Sequence, residues 1–507
     1  MAPTQLRFLG EERDLDAHGW DDGALAKLWR YNQHYFDDLA ARGAAGRVAW
    51  HRGLIARWMA ECAPGGGTAW EPYPTSLRIV NWIKWLMAGN EPVPGMLDSL
   101  AAQARFLSRR LEWHLLGNHL FVNAKALVFA GHFFEGREAD AWRARGWEIL
   151  RAEMPEQILP DGGQFERSPM YHALAVEDML DLANLMAAFP DATSPGDRMA
   201  VAGRIGPMIE FLEALCHPDG EVSFFNDSAQ GVAPCRAELE AYAGRLAVPV
   251  PSRVPVPLRV FPDSGFLRVD MGQATAILDA GPVGPDYLPG HAHADTLSFE
   301  LSIDGRRVLV NSGTSQYGVG PERLRQRGTA AHNALTVDGA DSSEVWGGFR
   351  VARRARARLI GTETTEAGAV SVDAEHDGFR RLPGGGVHRR RWEFLPGARL
   401  EVTDAIEARG VVESHWHFAP EFEVAVDPTG SGLRVSDGRL AIHFSAEGAE
   451  WRVTRSTYSP RFGSSIPNWK AVARLAGGSS LGPHVCRVRI EWHPCTSSSS
   501  PTTSHPR

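Results

Sequence analysis

The hydrophobic periodicity of the chain changes once, near residue 248, and this change limits the folds open to it. Before that point apolar residues recur at i, i+3, i+4 and i+7, the spacing of amphipathic helices. After it, short runs such as "GFLRVDM" and "RLEVTDAI" alternate apolar and polar residues, and turn sequences such as "SDGR" separate them. The junction "VPVPSRVPVP" (248–257) holds too much proline for a helix and predicts a linker.

These patterns predict a multidomain chain of the α-then-β type. The predicted helices cover residues 24–43, 75–89, 94–110, 119–136, 138–153, 171–189 and 197–216. No convincing strand interrupts them, which excludes a β/α barrel or a doubly wound sheet. We therefore expect a helical domain (1–247), a linker (248–258), an antiparallel β-sandwich (259–494) and a disordered, low-complexity tail (495–507).

Composition excludes several functional classes. The chain of 507 residues carries a net charge of −8 and has no groove-reading motif, which argues against nucleic acid as a partner. No apolar run is long enough to predict a membrane span. The start "MAPTQLRFLG" lacks signal-peptide features, which predicts a cytoplasmic protein if Met1 is the true start. Five scattered cysteines give neither metal-ligand spacing nor a disulfide framework.

Two polar pairs stand where loops enter predicted helices. Asn118 and His119 precede the apolar run of "LLGNHLFVNAKAL", where they either cap the helix or face a shared cavity. Tyr171 and His172 follow the Gly/Pro-rich stretch of "LPDGGQFERSPMYH". Helix entrances that converge on one mouth would place both pairs in one site.

Other candidates in the helical half are substrate-contact residues. Tyr73, Trp82 and Trp113 either pack in the core or offer the amphipathic rings on which sugar faces stack. Arg78 either binds a substrate carboxylate or forms a salt bridge on a helix surface.

In the second half of the chain, arginines cluster at 350–358 and 379–391. They form either a solvated face or a basic wall that binds a polyanion.

The stretch "PGHAHADTLSFEL" places His291, His293 and Asp295 at alternate positions, which on a strand would share one face. Asn311 in "LVNSGTSQYG" and His332 in "AAHNALTVDG" lie on neighbouring predicted strands. Such a group has the residue types for zinc ligation or for acid–base chemistry.

Six motifs, in order, resemble the heparinase II/III family of polysaccharide lyases over roughly residues 25–420. They are "GNHLFVNAKAL", "DGGQFERSPMYH", "HPDGEVSFFNDS", "PGHAHADTLSFEL", "LVNSGTSQYG" and "AAHNALTVDG". The resemblance implies an incomplete (α/α) toroid packed on a β-sandwich, with a cleft for an acidic polysaccharide. It also implies β-elimination at a uronic acid, which leaves a 4,5-unsaturated sugar.

The resemblance also implies roles for individual residues. Asn118 matches the group that neutralises the substrate carboxylate, Tyr171 the catalytic tyrosine and His291 the histidine that works opposite it. His119 and His172 are neighbours that would complete the catalytic set. Which of Tyr171 and His291 removes the C5 proton depends on the epimer and stays open.

Zinc and substrate remain expectations. His293, Asn311 and His332 fall where some members hold a structural zinc, but those members have an aspartate at the position of Asn311. The loss of an anionic ligand weakens zinc binding, and Asp295 either replaces it or orients a histidine. No organic cofactor is expected. The preferred substrate is a bacterial exopolysaccharide or a glycosaminoglycan-like polymer of low sulfation.

Two alternatives compete with the lyase interpretation. The "HAHAD" pattern suggests a metal-dependent hydrolase, although such enzymes need β/α alternation after this motif. The other is a non-catalytic protein of the same fold that binds acidic polysaccharide. The family implies a periplasmic or secreted location, against the missing signal peptide, and the oligomeric state is open.

Overall fold

Two regions of different secondary structure make up the chain, which confirms the predicted fold class. The computed structural model describes residues 3–251, 255–476 and 482–495. The last helix of the first region ends at Arg245, and the first strand of the second begins at Leu258. The predicted linker lies between them, with 252–254 outside the described residues. The predicted tail lies outside them from residue 496 onward.

The first region is helical, because each helix buries one apolar stripe in a common core rich in tryptophan. Its α-helices are Leu15–His18, Lys27–Asn32, Val48–Glu61, Pro72–Met87, Met96–Ser108, Gly117–Phe133, Arg137–Gln157, Pro169–Ala188, Pro195–Ala214 and Arg236–Arg245. The single helix predicted over 24–43 is wrong: the chain turns at Phe36, which has a φ of 61°, and continues as a 3-10 turn. A hairpin of Gln5–Phe8 and Glu11–Asp14, which the sequence patterns did not predict, precedes the helices.

The described part of the second region forms three antiparallel sheets and one short ribbon. The five-stranded sheet contains Leu258–Phe261, Phe266–Met271, Ala274–Asp279, Phe299–Ile303 and Arg306–Leu309 in chain order. The four-stranded sheet has the order Ala449–Tyr458, Ile466–Leu475, Val412–His417 and Leu335–Val337. The eight-stranded sheet has the order Ala357–Thr364, Val370–His376, His388–Leu395, Arg399–Ala408, Gly482–Pro494, Leu440–Glu447, Gly432–Ser436 and Glu423–Val426. Val345–Trp346 and Arg350–Val351 form the ribbon.

Alternation along the strands explains the sandwich. In Val370–His376 every second residue is buried, as the period of two requires for a sheet with one face on a core. The inner faces share one apolar cluster that includes Trp392, Trp416 and Phe444. No helix among the described residues has the length and apolarity needed to cross a lipid bilayer.

The two regions meet along an apolar seam. Phe211 and Leu215, at the end of a helix, cluster with Phe261, Phe266 and Ile277 of the five-stranded sheet. The rings of Phe211 and Phe261 pack edge to face with centroids 5.1 Å apart. This contact fixes the helix entrances of the first region against the loops of the second.

The segment that carries His291, His293 and Asp295 is not a strand, and this prediction was wrong. Residues 289–298 form a loop that leads into the strand Phe299–Ile303. The loop reverses at Leu297, which has a φ of 63°. An extended loop shows the same alternation as a strand, but no partner strand holds these side chains on one face.

Candidate active site

Asn118 lies in the first turn of the helix Gly117–Phe133. The turn before it is strained, with φ values of 58° at Leu116 and 53° at Gly117. A Cβ atom at Gly117 would lie 2.4 Å from Leu288 and 3.3 Å from the Glu166 carboxylate. Asn118 therefore sits beside the loop of the second region, at a helix end that carries partial positive charge.

Tyr73 and His119 surround Asn118. The side chain of Tyr73 hydrogen-bonds Asn118, and the His119 ring packs on the Tyr73 ring at 4.4 Å between centroids. His119 Nδ1 lies 3.2 Å from Glu112 Oε1. Burial raises the pKa of Tyr73, and Tyr73 lies close enough to Tyr171 to raise the pKa of that hydroxyl in turn. Tyr73 thus lies close to a residue of each predicted helix entrance, Asn118 and Tyr171.

Tyr171 enters the site from the first turn of the helix Pro169–Ala188. Ser168 caps this helix, its hydroxyl accepting from the Tyr171 N–H. The Tyr171 hydroxyl lies 2.9 Å from the Tyr317 hydroxyl. Burial, and then the neighbouring Tyr317, raise the pKa of Tyr171 well above its ordinary value. Tyr171 is therefore a neutral proton donor near neutral pH.

His291 stacks directly on Tyr171. The two rings are 3.8 Å apart and inclined by 17°. His291 Nδ1 lies 2.5 Å from Glu166 Oε2, and Glu166 is buried while His291 is 13% exposed. A carboxylate at this distance holds the hydrogen on Nδ1 and leaves a lone pair on Nε2. Glu166 stands inside the motif "DGGQFERSPMYH", but no sequence pattern assigned it a role.

His293 points to a different set of partners from His291. His293 Nδ1 lies 3.3 Å from His332 Nε2, and its Nε2 lies 2.9 Å from Asp227 Oδ1. Asp227 also forms a fully buried ion pair with Arg323. Burial lowers the pKa of His293 to about 4 and that of His332 to about 3, so both imidazoles are neutral. Neither Asp227 nor Arg323 was predicted as part of the site.

The residues around His293 fit a zinc ion. Ligand atoms of His293, Asp295 and His332 all lie within 4.8 Å of one another, and all three residues are buried. Two neutral imidazoles and a carboxylate are a common zinc donor set. The acid in this group is Asp295 and not a residue at position 311. The Asn311 amide is used elsewhere: its oxygen accepts from the Asn333 N–H at 3.2 Å.

Three predicted site residues lie away from this cluster, and we correct their roles. Arg78 and Trp82 are fully buried in the helical core, where neither can reach a polymer. Arg78 lies 3.9 Å from the Trp58 ring and donates to Gln103. His172 is also buried, with Nε2 2.8 Å from the carbonyl of Met208 in the neighbouring helix Pro195–Ala214.

Trp113 keeps the exposure that a substrate contact requires. It is 47% exposed on the loop that leads to Asn118, and the Arg145 guanidinium lies 5.3 Å from its ring. Its role in binding stays a prediction.

Comparison with known proteins agrees with this architecture. The family profile "Heparinase II/III N-terminus" matches residues 68–244, and "Heparinase II/III-like, C-terminal" matches residues 253–477. A solved structure of heparinase III is similar with a TM-score of 0.75 and 20% identity, covering 92% of this chain and 77% of that one. A solved structure of a heparan sulfate lyase mutant from Pedobacter heparinus is similar with a TM-score of 0.67 and 19% identity, covering 98% of this chain and 82% of that one.

Curated relatives are similar over part of their length. A heparin-sulfate lyase of Bacteroides stercoris is 28% identical over 61% of this chain and 46% of the relative. A heparin-sulfate lyase of Pedobacter heparinus is 28% identical over 48% of this chain and 39% of the relative. The chain thus matches less than half the length of these two relatives. With two adjacent family profiles covering most of it, the chain belongs to the heparinase II/III family.

Proposed function

We propose that this protein is a polysaccharide lyase that cleaves a uronic-acid-containing polymer by β-elimination. The observation that carries the proposal is the stack of Tyr171 on the His291–Glu166 pair beside the helix entrance of Asn118. This arrangement supplies one group for each demand of the reaction. The β-elimination reaction needs a neutral hydrogen-bond donor for the substrate carboxylate, a base for the C5 proton and an acid for the leaving oxygen O4.

Asn118 answers the first demand. The C5 proton is weakly acidic because its removal places further negative charge next to a carboxylate. The Asn118 amide donates a hydrogen bond to the substrate carboxylate and transfers no proton to it. The positive end of the helix that begins at Gly117 stabilises the dianionic form of the substrate that develops when C5 loses its proton. Tyr73, which hydrogen-bonds Asn118, holds the amide in place.

His291 supplies the base for the C5 proton, and Tyr171 supplies the acid for O4. Nε2 of His291 takes the proton from C5, and the C–H electrons form the C4=C5 double bond while the C4–O4 bond breaks. The Tyr171 hydroxyl, which the raised pKa keeps protonated, gives its proton to O4. One proton thus passes from C5 to His291 and another from Tyr171 to O4. Solvent then restores both groups. This assignment applies to the epimer whose C5 hydrogen faces His291.

The buried cluster below the catalytic loop would serve as its support. A zinc ion bound by His293, Asp295 and His332 would supply structural cross-linking of the loop that carries His291. The Asp227–Arg323 pair holds His293 from the other side. These residues fix the position of His291 and take no proton from the substrate.

The charge pattern favours a polymer of low sulfation. The arginine clusters that could have formed a basic wall are largely paired within the chain. Arg353 pairs with Glu344, Arg358 with Glu375, and Arg390 is buried against Asp404. Heparin-like sulfate density would call for unpaired cations. We therefore infer a carboxylated exopolysaccharide or a sparsely sulfated glycosaminoglycan, although the curated relatives are heparin-sulfate lyases.

The test is the ultraviolet absorbance of the unsaturated uronide over a panel of uronic-acid polymers. We expect the protein to give this absorbance with at least one polymer. Tyr171→Phe should lose the product at least a hundredfold and still bind the polymer, because only the proton donor is removed. The matched control is Tyr242→Phe, which removes a tyrosine hydroxyl that donates to Asp181 inside the helical region.

Other outcomes would overturn the proposal. Binding of a polymer by folded protein with no product on any member of the panel would indicate a non-catalytic binding protein. New reducing ends without the ultraviolet absorbance would indicate a hydrolase.

A further inference from the structure

An exposed aromatic ribbon borders the candidate active site and has no part in the mechanism above. The strands Val345–Trp346 and Arg350–Val351 pair through the turn Gly347–Phe349. Trp346 is 57% exposed and Phe349 is 41% exposed. Large apolar side chains that stand together on a surface mark binding sites more often than chance exposure.

The ribbon is fixed to the floor of the site. Arg323 donates from Nε to the Gly348 carbonyl at 3.0 Å, and Arg327 donates to the Gly347 carbonyl at 3.3 Å. Both arginines are buried. A Cβ atom at Gly348 would lie 2.4 Å from the Gly318 carbonyl oxygen, so only glycine fits this turn without a shift. Trp346 is therefore presented on a rigid support, which lowers the entropy cost of binding a ligand.

Phe349 connects the ribbon to the catalytic residues. Its ring packs edge to face on Tyr317 with centroids 5.3 Å apart, and it lies 6.4 Å from the His291 ring. Tyr317 in turn hydrogen-bonds Tyr171. Aromatic ring contacts thus run from the stacked Tyr171–His291 pair through Tyr317 to Phe349. Trp346 stands at the other end of the turn that contains Phe349.

Arg350 adds a cation to this surface. It is exposed, and no acid pairs with it in the part of the chain that the structure describes. Its neighbour Arg353 and the nearby Arg358, by contrast, each pair with a glutamate. A free guanidinium beside an aromatic ring suits a sugar that carries a carboxylate or a sulfate.

We propose that Trp346 and Arg350 form a subsite for a sugar that flanks the cleaved disaccharide. The Trp346 ring stacks on the apolar face of a pyranose, and Arg350 binds its acidic group. Phe349 closes the gap between this subsite and the catalytic pair. The inference rests on the proposed function for the identity of the ligand, an acidic polysaccharide. It adds the residues that make long chains better ligands than short ones.

The test compares variants with acidic oligosaccharides of increasing length. Trp346→Ala should raise KM for long chains roughly tenfold and leave kcat within about twofold, since it removes binding that ground and transition states share. For the shortest cleavable oligosaccharide KM should not change. Trp346→Phe should retain most of the affinity, and Arg350→Gln should weaken the salt dependence of KM. The controls are Trp50→Ala and Arg434→Gln, both on exposed surfaces of other elements.

Direct binding, measured by calorimetry, separates this inference from the proposed function. If the protein binds a polymer but never cleaves it, and Trp346→Ala weakens that binding, the subsite stands and the lyase proposal falls. If turnover is observed and Trp346→Ala and Trp50→Ala give the same KM at every chain length, the subsite is refuted while the lyase stands. If no acidic polymer binds, both are refuted.

Discussion

Replacing Glu166 with glutamine tests whether His291 acts as the base. The substitution keeps the shape of the side chain and a hydrogen-bond acceptor for Nδ1, but it removes the negative charge. That charge stabilises the imidazolium that forms when His291 takes the C5 proton. For charge centres about 4 Å apart and an effective dielectric constant of about 20, the interaction is about 4 kcal/mol. Because Glu166 is 2% exposed, solvent screens little of it.

We expect kcat of Glu166→Gln to fall by about a hundredfold to a thousandfold with little change in KM, since the charge acts only after proton transfer begins. Initial rates of uronide absorbance on the best polymer of the panel measure both constants. Glu138→Gln, which removes an exposed carboxylate paired with Arg105, is the control. Thermal unfolding checks that both variants are folded. If folded Glu166→Gln keeps more than about a third of the kcat, His291 does not develop charge against Glu166 and the assigned base is wrong.

Two further predictions concern metal and acid. Asp295→Asn should reduce the zinc content of the purified protein from about one ion per chain to near zero, as measured by atomic emission, and should lower the Tm by several degrees. Parent protein that contains no zinc would contradict the proposed cluster. Acid should destabilise the fold because burial lowers the pKa of His34, His172 and His415 to about 3, 4 and 3. A depressed folded pKa means that stability is complete above the ordinary value of 6.5 and is lost as the pH falls below it. Each group should remove about 2 kcal/mol near pH 5, and a free energy of unfolding that is unchanged between pH 7 and 5 would contradict this.

The sequence allowed the architecture to be predicted because local periodicity records which side of each element is buried. The helix Pro72–Met87 and the strand Arg399–Ala408, which contains the alternating run "RLEVTDAI", follow their patterns closely. The strand predicted for the "HAHAD" segment failed for a physical reason. A period of two describes an extended backbone, whereas a strand also requires a partner that the local sequence does not specify. Positions 291 and 293 consequently face different partners.

Burial of charge was equally hidden from the sequence. Arg78 looked like a surface cation on an amphipathic helix, yet it fills a pocket between Trp58 and Gln103 in the helical core. Glu166 looked like an ordinary loop residue, yet a histidine from a segment 125 residues away makes it part of the site. Both roles depend on contacts between distant segments, and the spacing of residues within one segment carries no record of them.

Backbone strain shows how the site is held in its geometry. Leu116, Arg167, Asn226 and Leu297 all adopt positive φ values, and each lies on a segment that delivers a site residue. Such conformations cost about 1–3 kcal/mol each, so the contacts around them must compensate. Those contacts are visible: the Asn226 amide donates to the Arg167 carbonyl, and the Asn226 oxygen accepts from the His293 N–H. The strained turns of the two regions are thus bonded to each other. The distance between Tyr171 and the loop that carries His291 is set by the interface between the regions and not by either region alone.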